Sequence, residues 1–163
     1  MPNITTTAKL LTEVPKKYCR IILTEDSTSW HRLVETVDGG LEYRMGAGKR
    51  ADMTARSFRT LVRSIVQTAR IHQLEAIALH LGPMGCPKLE AYGDEWFFRT
   101  LGENLSLASY EYRKYKTKEK KEKQLKEILV CGISDKKIKA AFEEGLTIAE
   151  GANIARDIAN TTG

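Results

Sequence analysis

Two strand-like runs on either side of one strongly amphipathic helix limit this chain most tightly. Phe58, Leu61, Val62, Ile65, Val66 and Ala69 recur at the three- and four-residue steps of a single helical face. Thr54 stands ahead of them with the chemistry of an N-cap. Leu41-Glu42-Tyr43-Arg44-Met45 precedes that helix and alternates apolar and charged residues, as a strand with one wet face does. Leu74 to Leu81 follows it as a short apolar run that suits a buried strand of a mainly parallel sheet. A strand, a helix and a second strand in that order predict an α/β fold.

The rest of the chain extends the pattern. An early strand is expected around Ile4 to Leu11, and a buried one over Tyr18 to Thr24. Leu33 to Val37 is a further candidate, joined to Leu41–Met45 through the turn residues Asp38-Gly39-Gly40 as a hairpin. Trp96, Phe97, Leu101, Leu105, Ala108 and Tyr112 share a helical face, and Leu125 to Gly132 reads as another strand. Ser134-Asp135 then caps a last helix. The expected whole is a mixed, mainly parallel sheet flanked by helices and covered on both faces, in a chain of 163 residues that the usual size prior makes one domain.

The last helix differs in kind from the others. Ile138, Ala141, Phe142, Gly145, Ile148, Ala149, Ala152, Ala155 and Ala159 keep the helical period, but most are small. Small residues bury little area themselves and let another backbone come close, so this stripe should pack against a larger body.

The segment Glu150-Gly151-x-Asn153-x-Ala155-Arg156-Asp157-Ile158-x-Asn160-Thr161 resembles the passage by which leucyl (cytosol) aminopeptidases cross from their N-terminal domain into their catalytic domain. Upstream, Gly102-Glu103-Asn104-Leu105-Ser106-Leu107-Ala108-Ser109-Tyr110-Glu111-Tyr112-Arg113-Lys114-Tyr115-Lys116-Thr117-Lys118 is similar to a second block of that family. The likeness covers roughly residues 41 to 163. Thr162 departs from it, standing where the family usually has Pro. The resemblance implies a macro-domain-like fold, with residues 1–150 as an accessory domain and 151–163 opening the connector to a catalytic domain outside this chain. The parent it implies is a metalloprotease that removes N-terminal amino acids from peptides. Two divalent ions, zinc, manganese or magnesium, activate water in its catalytic domain, and its subunits form hexamers. The family's metal ligands lie in that other domain, so no catalytic or metal-binding residue carries over to this chain, which would instead assemble, position or gate.

Composition limits the alternatives. No apolar run approaches the ~20 residues that span a bilayer, and the N-terminus lacks a signal-peptide pattern, which makes a cytoplasmic location the expectation. Cys19, Cys86 and Cys131 are odd in number and widely spaced, as reduced structural thiols are. His31, His72 and His80 have no second ligand at metal spacing, and Gly46-Ala47-Gly48-Lys49-Arg50 lacks the Ser/Thr and the glycine spacing of a phosphate loop. It reads as a turn, with a weak anion site as the other possibility. The Gly82–Pro87 loop sits where open α/β sheets place ligands, yet only Cys86 offers a reactive group.

The net charge of +5 is concentrated in one place. Residues 113–126 hold eight of the 26 basic residues against two of the 21 acidic ones, leaving the remainder at −1. Arg113, Lys114, Lys116, Lys118, Lys120, Lys121 and Lys123 are therefore the candidate nucleic-acid contacts, with Tyr110, Tyr112 and Tyr115 as stacking partners. A solvated lysine-rich loop explains the same composition. Arg56, Arg59, Arg63 and Arg70 on the amphipathic helix form either solvated surface or a nucleic-acid or phosphate-binding face.

Overall fold

The computed structural model describes residues 1–111 and 123–161. Six strands make one sheet: β1 (Asn3–Thr7), β2 (Cys19–Thr24), β3 (His31–Glu35), β4 (Leu41–Gly46), β5 (Ala76–Leu79) and β6 (Glu127–Cys131). The helices are α1 (Ala55–Ile71), the short α2 (Pro87–Glu90), α3 (Asp94–Ser109) and α4 (Lys136–Thr161). The sheet order is β1-β6-β5-β2-β4-β3, parallel throughout except for the antiparallel edge strand β3. This is the mixed, mainly parallel α/β sheet that the sequence predicts.

Strand order places the helices. The chain moves from β4 through α1 to β5, and from β5 through α3 to β6, in the same direction across the sheet. Crossovers of one hand in one direction lie on one face. Accordingly Phe58 and Val62 of α1, Phe97 and Leu101 of α3 and Phe142 of α4 join a single core with Ile21, Tyr43, Met45, Ile77, Leu79, Ile128 and Val130. The alternate residues Ala76, Ala78 and Cys131 face the other way with Tyr18, where the β1–β2 connection covers them with Leu11 and Val14. Both faces are covered, as expected, the helices lying on one and this short connection on the other. Beyond it, Arg20 ion-pairs with Glu42 at 3.4 Å and Glu42 with Arg44 at 2.9 Å, which accounts for the alternating charge of β4.

Local signals set the ends of α1. Thr54 Oγ1 accepts from the Ser57 amide at 3.2 Å, and the Thr54 amide donates to Ser57 Oγ at 2.8 Å, a reciprocal cap. At the other end Gln73 takes the left-handed conformation (φ 52°). Its amide donates to Arg70 O and that of Leu74 to Ala69 O, the paired closure that ends a helix. The β3–β4 hairpin turns through Gly39 at φ 76°, leaving Val37 fully exposed in the turn rather than in the strand expected over Leu33–Val37.

Candidate functional site

The final helix is two different objects along its length. Asp135 Oδ1 accepts from the amides of Lys137 and Ile138 and starts α4. Over its first half Ala141, Phe142, Gly145 and Ala149 are buried. A Cβ added at Gly145 would stand 2.0 Å from Arg99 O, and one at Gly102 would stand 2.4 Å from Phe142 O. Thus α3 and α4 touch backbone to backbone through a glycine from each, and Arg99 Nε ties the joint at its rim to Glu144 Oε2 at 2.9 Å. The small residues here find their larger body inside the domain. Among the described residues from Gly151 onward only Asn153 is buried, while Ile154 and Ile158 are 53% and 62% exposed one turn apart. Ile148, Ala152, Ala155 and Ala159, expected on the packed face, are exposed as well. The buried line runs through positions 142, 145, 149 and 153, and the polar Asn153 continues it where alanines were expected to.

The strand ends offer little for chemistry. In the Gly46–Arg50 turn, the amides of Gly46, Ala47 and Gly48 donate to Trp30 O, Thr24 O and Asp26 O. Those donors are committed to carbonyls, so the turn is structural and holds no anion cradle. Cys86 is buried, and burial raises its thiol pKa; burial raises that of Cys131 too and pushes Cys19 up to about 11. Such thiols stay protonated and weakly nucleophilic. No three His, Cys, Asp or Glu side chains among the described residues gather closely enough to hold a metal.

Of the candidate nucleic-acid contacts, Lys123 is exposed; Arg113, Lys114, Lys116, Lys118, Lys120 and Lys121 lie outside the described residues. The α1 arginines divide between two surroundings. Arg59 stacks over Trp96 at 5.7 Å, whereas Arg63 and Arg70 turn toward α3. Among the described residues no helix is long and apolar enough to cross a membrane.

Residues 43–119 match the model of the cytosol aminopeptidase family, N-terminal domain. That stretch, a little under half of the chain, is similar to the family's N-terminal domain. A probable cytosol aminopeptidase of Actinobacillus succinogenes is 28% identical over 116 residues, which is 71% of this chain and 23% of that protein. Among solved structures, a tomato leucine aminopeptidase variant superposes with a TM-score of 0.68 at 13% identity, over 93% of this chain and 36% of its own. The bottromycin maturation enzyme BotP gives 0.58 at 18% identity, over 98% and 33%. The structural likeness is one of fold, and the chain spans about a quarter to a third of its relatives' lengths.

Proposed function

We propose that this domain serves a leucyl aminopeptidase as its non-catalytic accessory unit, with the outer half of α4 docking a catalytic domain. The observation that carries the reading is the change of character along α4. Its first half is locked to α3 by glycine contacts, while the second presents Ile154 and Ile158 to solvent at helical spacing. Two exposed isoleucines on one face bury about 4 kcal/mol of transfer free energy when covered, enough to seat a helix against a neighbour. In that assembly the docked domain supplies the reaction. Its two divalent ions, zinc, manganese or magnesium, are held by its own residues, and the parent removes N-terminal amino acids in the cytoplasm as a hexamer. This domain positions or assembles.

The test uses the reading frame downstream of Gly163. It should encode the lysine and carboxylate cluster of a two-metal centre, and the extended protein should release leucine from a leucyl substrate with added manganese or zinc. The 163-residue chain alone should not. Replacing Ile154 and Ile158 by Asp in the extended protein should lower its assembly state or activity without unfolding this domain. An extended protein indifferent to both changes, or metal-dependent turnover by the 163-residue chain, would refute the reading.

A further inference from the structure

Three arginines converge on a groove of about 480 Å³ between α1, the C-terminal end of α3, and α4. Arg63, Arg70 and Arg156 line it together with Gln67, and Ile71, Leu107 and Ala108 supply an apolar flank. Each guanidinium is held from behind. Arg63 Nε donates to Asn104 Oδ1 at 2.9 Å, Arg70 Nη2 to Ser109 O at 2.6 Å, and Arg156 Nη1 to Asn153 Oδ1 at 3.3 Å and Leu107 O at 3.4 Å. Arg156 also lies over the Tyr110 ring at 5.5 Å.

The supports are unusual for surface arginines. Asn104 and Asn153 are 1% and 4% exposed. Burying an amide side chain is costly unless its hydrogen bonds are met. Asn104 meets one half by donating to Thr100 O at 2.9 Å and the other by accepting from Arg63. Two of the few buried polar side chains thus orient two of the three cations. Capping the last carbonyls of α3 explains one donor on Arg70 and one on Arg156. Each planar fork has five donors, so most are left over for a further partner. No carboxylate lies within ion-pair distance of Arg63, Arg70 or Arg156 among the described residues, and nearby Asp157 accepts from the Tyr110 hydroxyl at 2.8 Å. Three like charges with no ion-pair partner among the described residues repel one another, a cost that an anion in the groove would reduce.

We infer that this groove binds a diphosphate group, carried by a small organic diphosphate whose remaining part lies on Ile71, Leu107 and Ala108. Guanidinium forks match phosphate oxygens in pairs, and three of them balance the roughly three negative charges of a diphosphate. A monophosphate or a carboxylate leaves the site under-neutralised. The groove volume falls within the range of about 300–1,000 Å³ typical of small-ligand sites. Arg156 falls between Ile154 and Ile158 in the chain but about 200° from each around the helix, so the groove and the isoleucine face lie on opposite sides of α4.

Calorimetric titration of the 163-residue chain tests this with inorganic pyrophosphate, uridine diphosphate and uridine monophosphate in ~20 mM salt, where screening is weak. Pyrophosphate and uridine diphosphate should bind at one site per chain, and the monophosphate roughly tenfold or more weakly. Tighter binding of the nucleotide than of pyrophosphate assigns the apolar flank to its organic part; equal binding removes that assignment and leaves the diphosphate site standing. Arg156→Gln and Arg63→Gln should each weaken binding about tenfold, while Arg59→Gln, stacked on Trp96 away from the groove, should leave it unchanged. Thermal unfolding of each variant separates lost binding from lost folding. Where Arg63→Gln unfolds because Asn104 loses its partner, Arg156→Gln alone decides. No saturable binding at about 1 mM ligand, equal affinity for the monophosphate, or equal loss in Arg59→Gln overturns the inference.

Discussion

Gly145 rests on the carbonyl of Arg99 so closely that a methyl group in place of its hydrogen would stand 2.0 Å from that oxygen. Backbone, unlike the end of a long side chain, cannot swing aside. Gly145→Ala should therefore destabilise the domain by roughly 1–3 kcal/mol through overpacking, outweighing the gain of about 1 kcal/mol in helix propensity. Gly151, six residues along the same helix, has nothing within 4 Å of the corresponding position. There the propensity term acts alone, and Gly151→Ala should stabilise by about 0.5–1 kcal/mol. Thermal unfolding of both variants checks the pair, because opposite signs are required. A Gly145→Ala protein as stable as wild type would mean that α3 and α4 separate more easily than their contact implies.

Gln73 supplies a second backbone test. A non-glycine residue at φ 52° costs about 1 kcal/mol relative to glycine, and nothing about its hydrogen bonds depends on the side chain. Gln73→Gly should raise the unfolding midpoint by about 3 °C, as a change of that size does in a domain this long. A lowered midpoint would show that the loss of unfolded-state entropy through Gln73 outweighs the strain.

The carboxylate of Glu127 predicts a pH effect with a definite sign. Lys17 Nζ lies 2.8 Å from it and the Tyr18 hydroxyl 2.5 Å, and hydrogen bonds from these two hold its pKa below the ordinary 4.5. A carboxyl whose folded pKa is depressed contributes stability that is present above its unfolded value and lost as pH falls through the folded one. The contribution should thus be intact at neutral pH and fade below about pH 4.5. Comparing unfolding of wild type and Glu127→Gln from pH 7 downward measures it: the two curves should converge in acid. Curves that stay parallel would place the contact's effect elsewhere.

The three thiols should resist modification in the folded state. Cys19, Cys86 and Cys131 are all buried and free, and burial favours the protonated form of each. At pH 8 a thiol-reactive dye should label the native protein far more slowly than free cysteine, and denaturant should release all three sites. Rapid labelling of Cys86 in the native state would reopen a reactive role for the Gly82–Pro87 loop.

How much of this was legible depended on whether the decisive contact lay near or far in the chain. The α1 face from Phe58 to Ala69, its Thr54 cap and the hairpin turn at Asp38–Gly40 are local, and period or turn chemistry reveals them. Which face carries the helices followed from strand order, which periodicity does not encode; a short connection carrying Leu11 and Val14 covers the other. Along α4 the apolar pattern was too permissive, since alanines populate every side of the helix and only the contacts of Gly145 with Arg99 distinguish one of them. The arginine groove was the least visible part. Arg63 finds Asn104 across 41 positions of sequence, and a buried asparagine looks in a sequence like any polar helical residue. Both supporting asparagines nonetheless fall inside the two stretches that resemble the cytosol aminopeptidases, the one trace of them in the sequence.

An unbroken α4 acts as a lever. Its 26 residues extend roughly 39 Å, with the fulcrum where its first half leans on α3 and the outer arm beyond Asn153. A tilt of a few degrees at the fulcrum sweeps the far tip through ångströms, and a force applied at the tip is returned, multiplied, to the glycine bearing at Gly102 and Gly145.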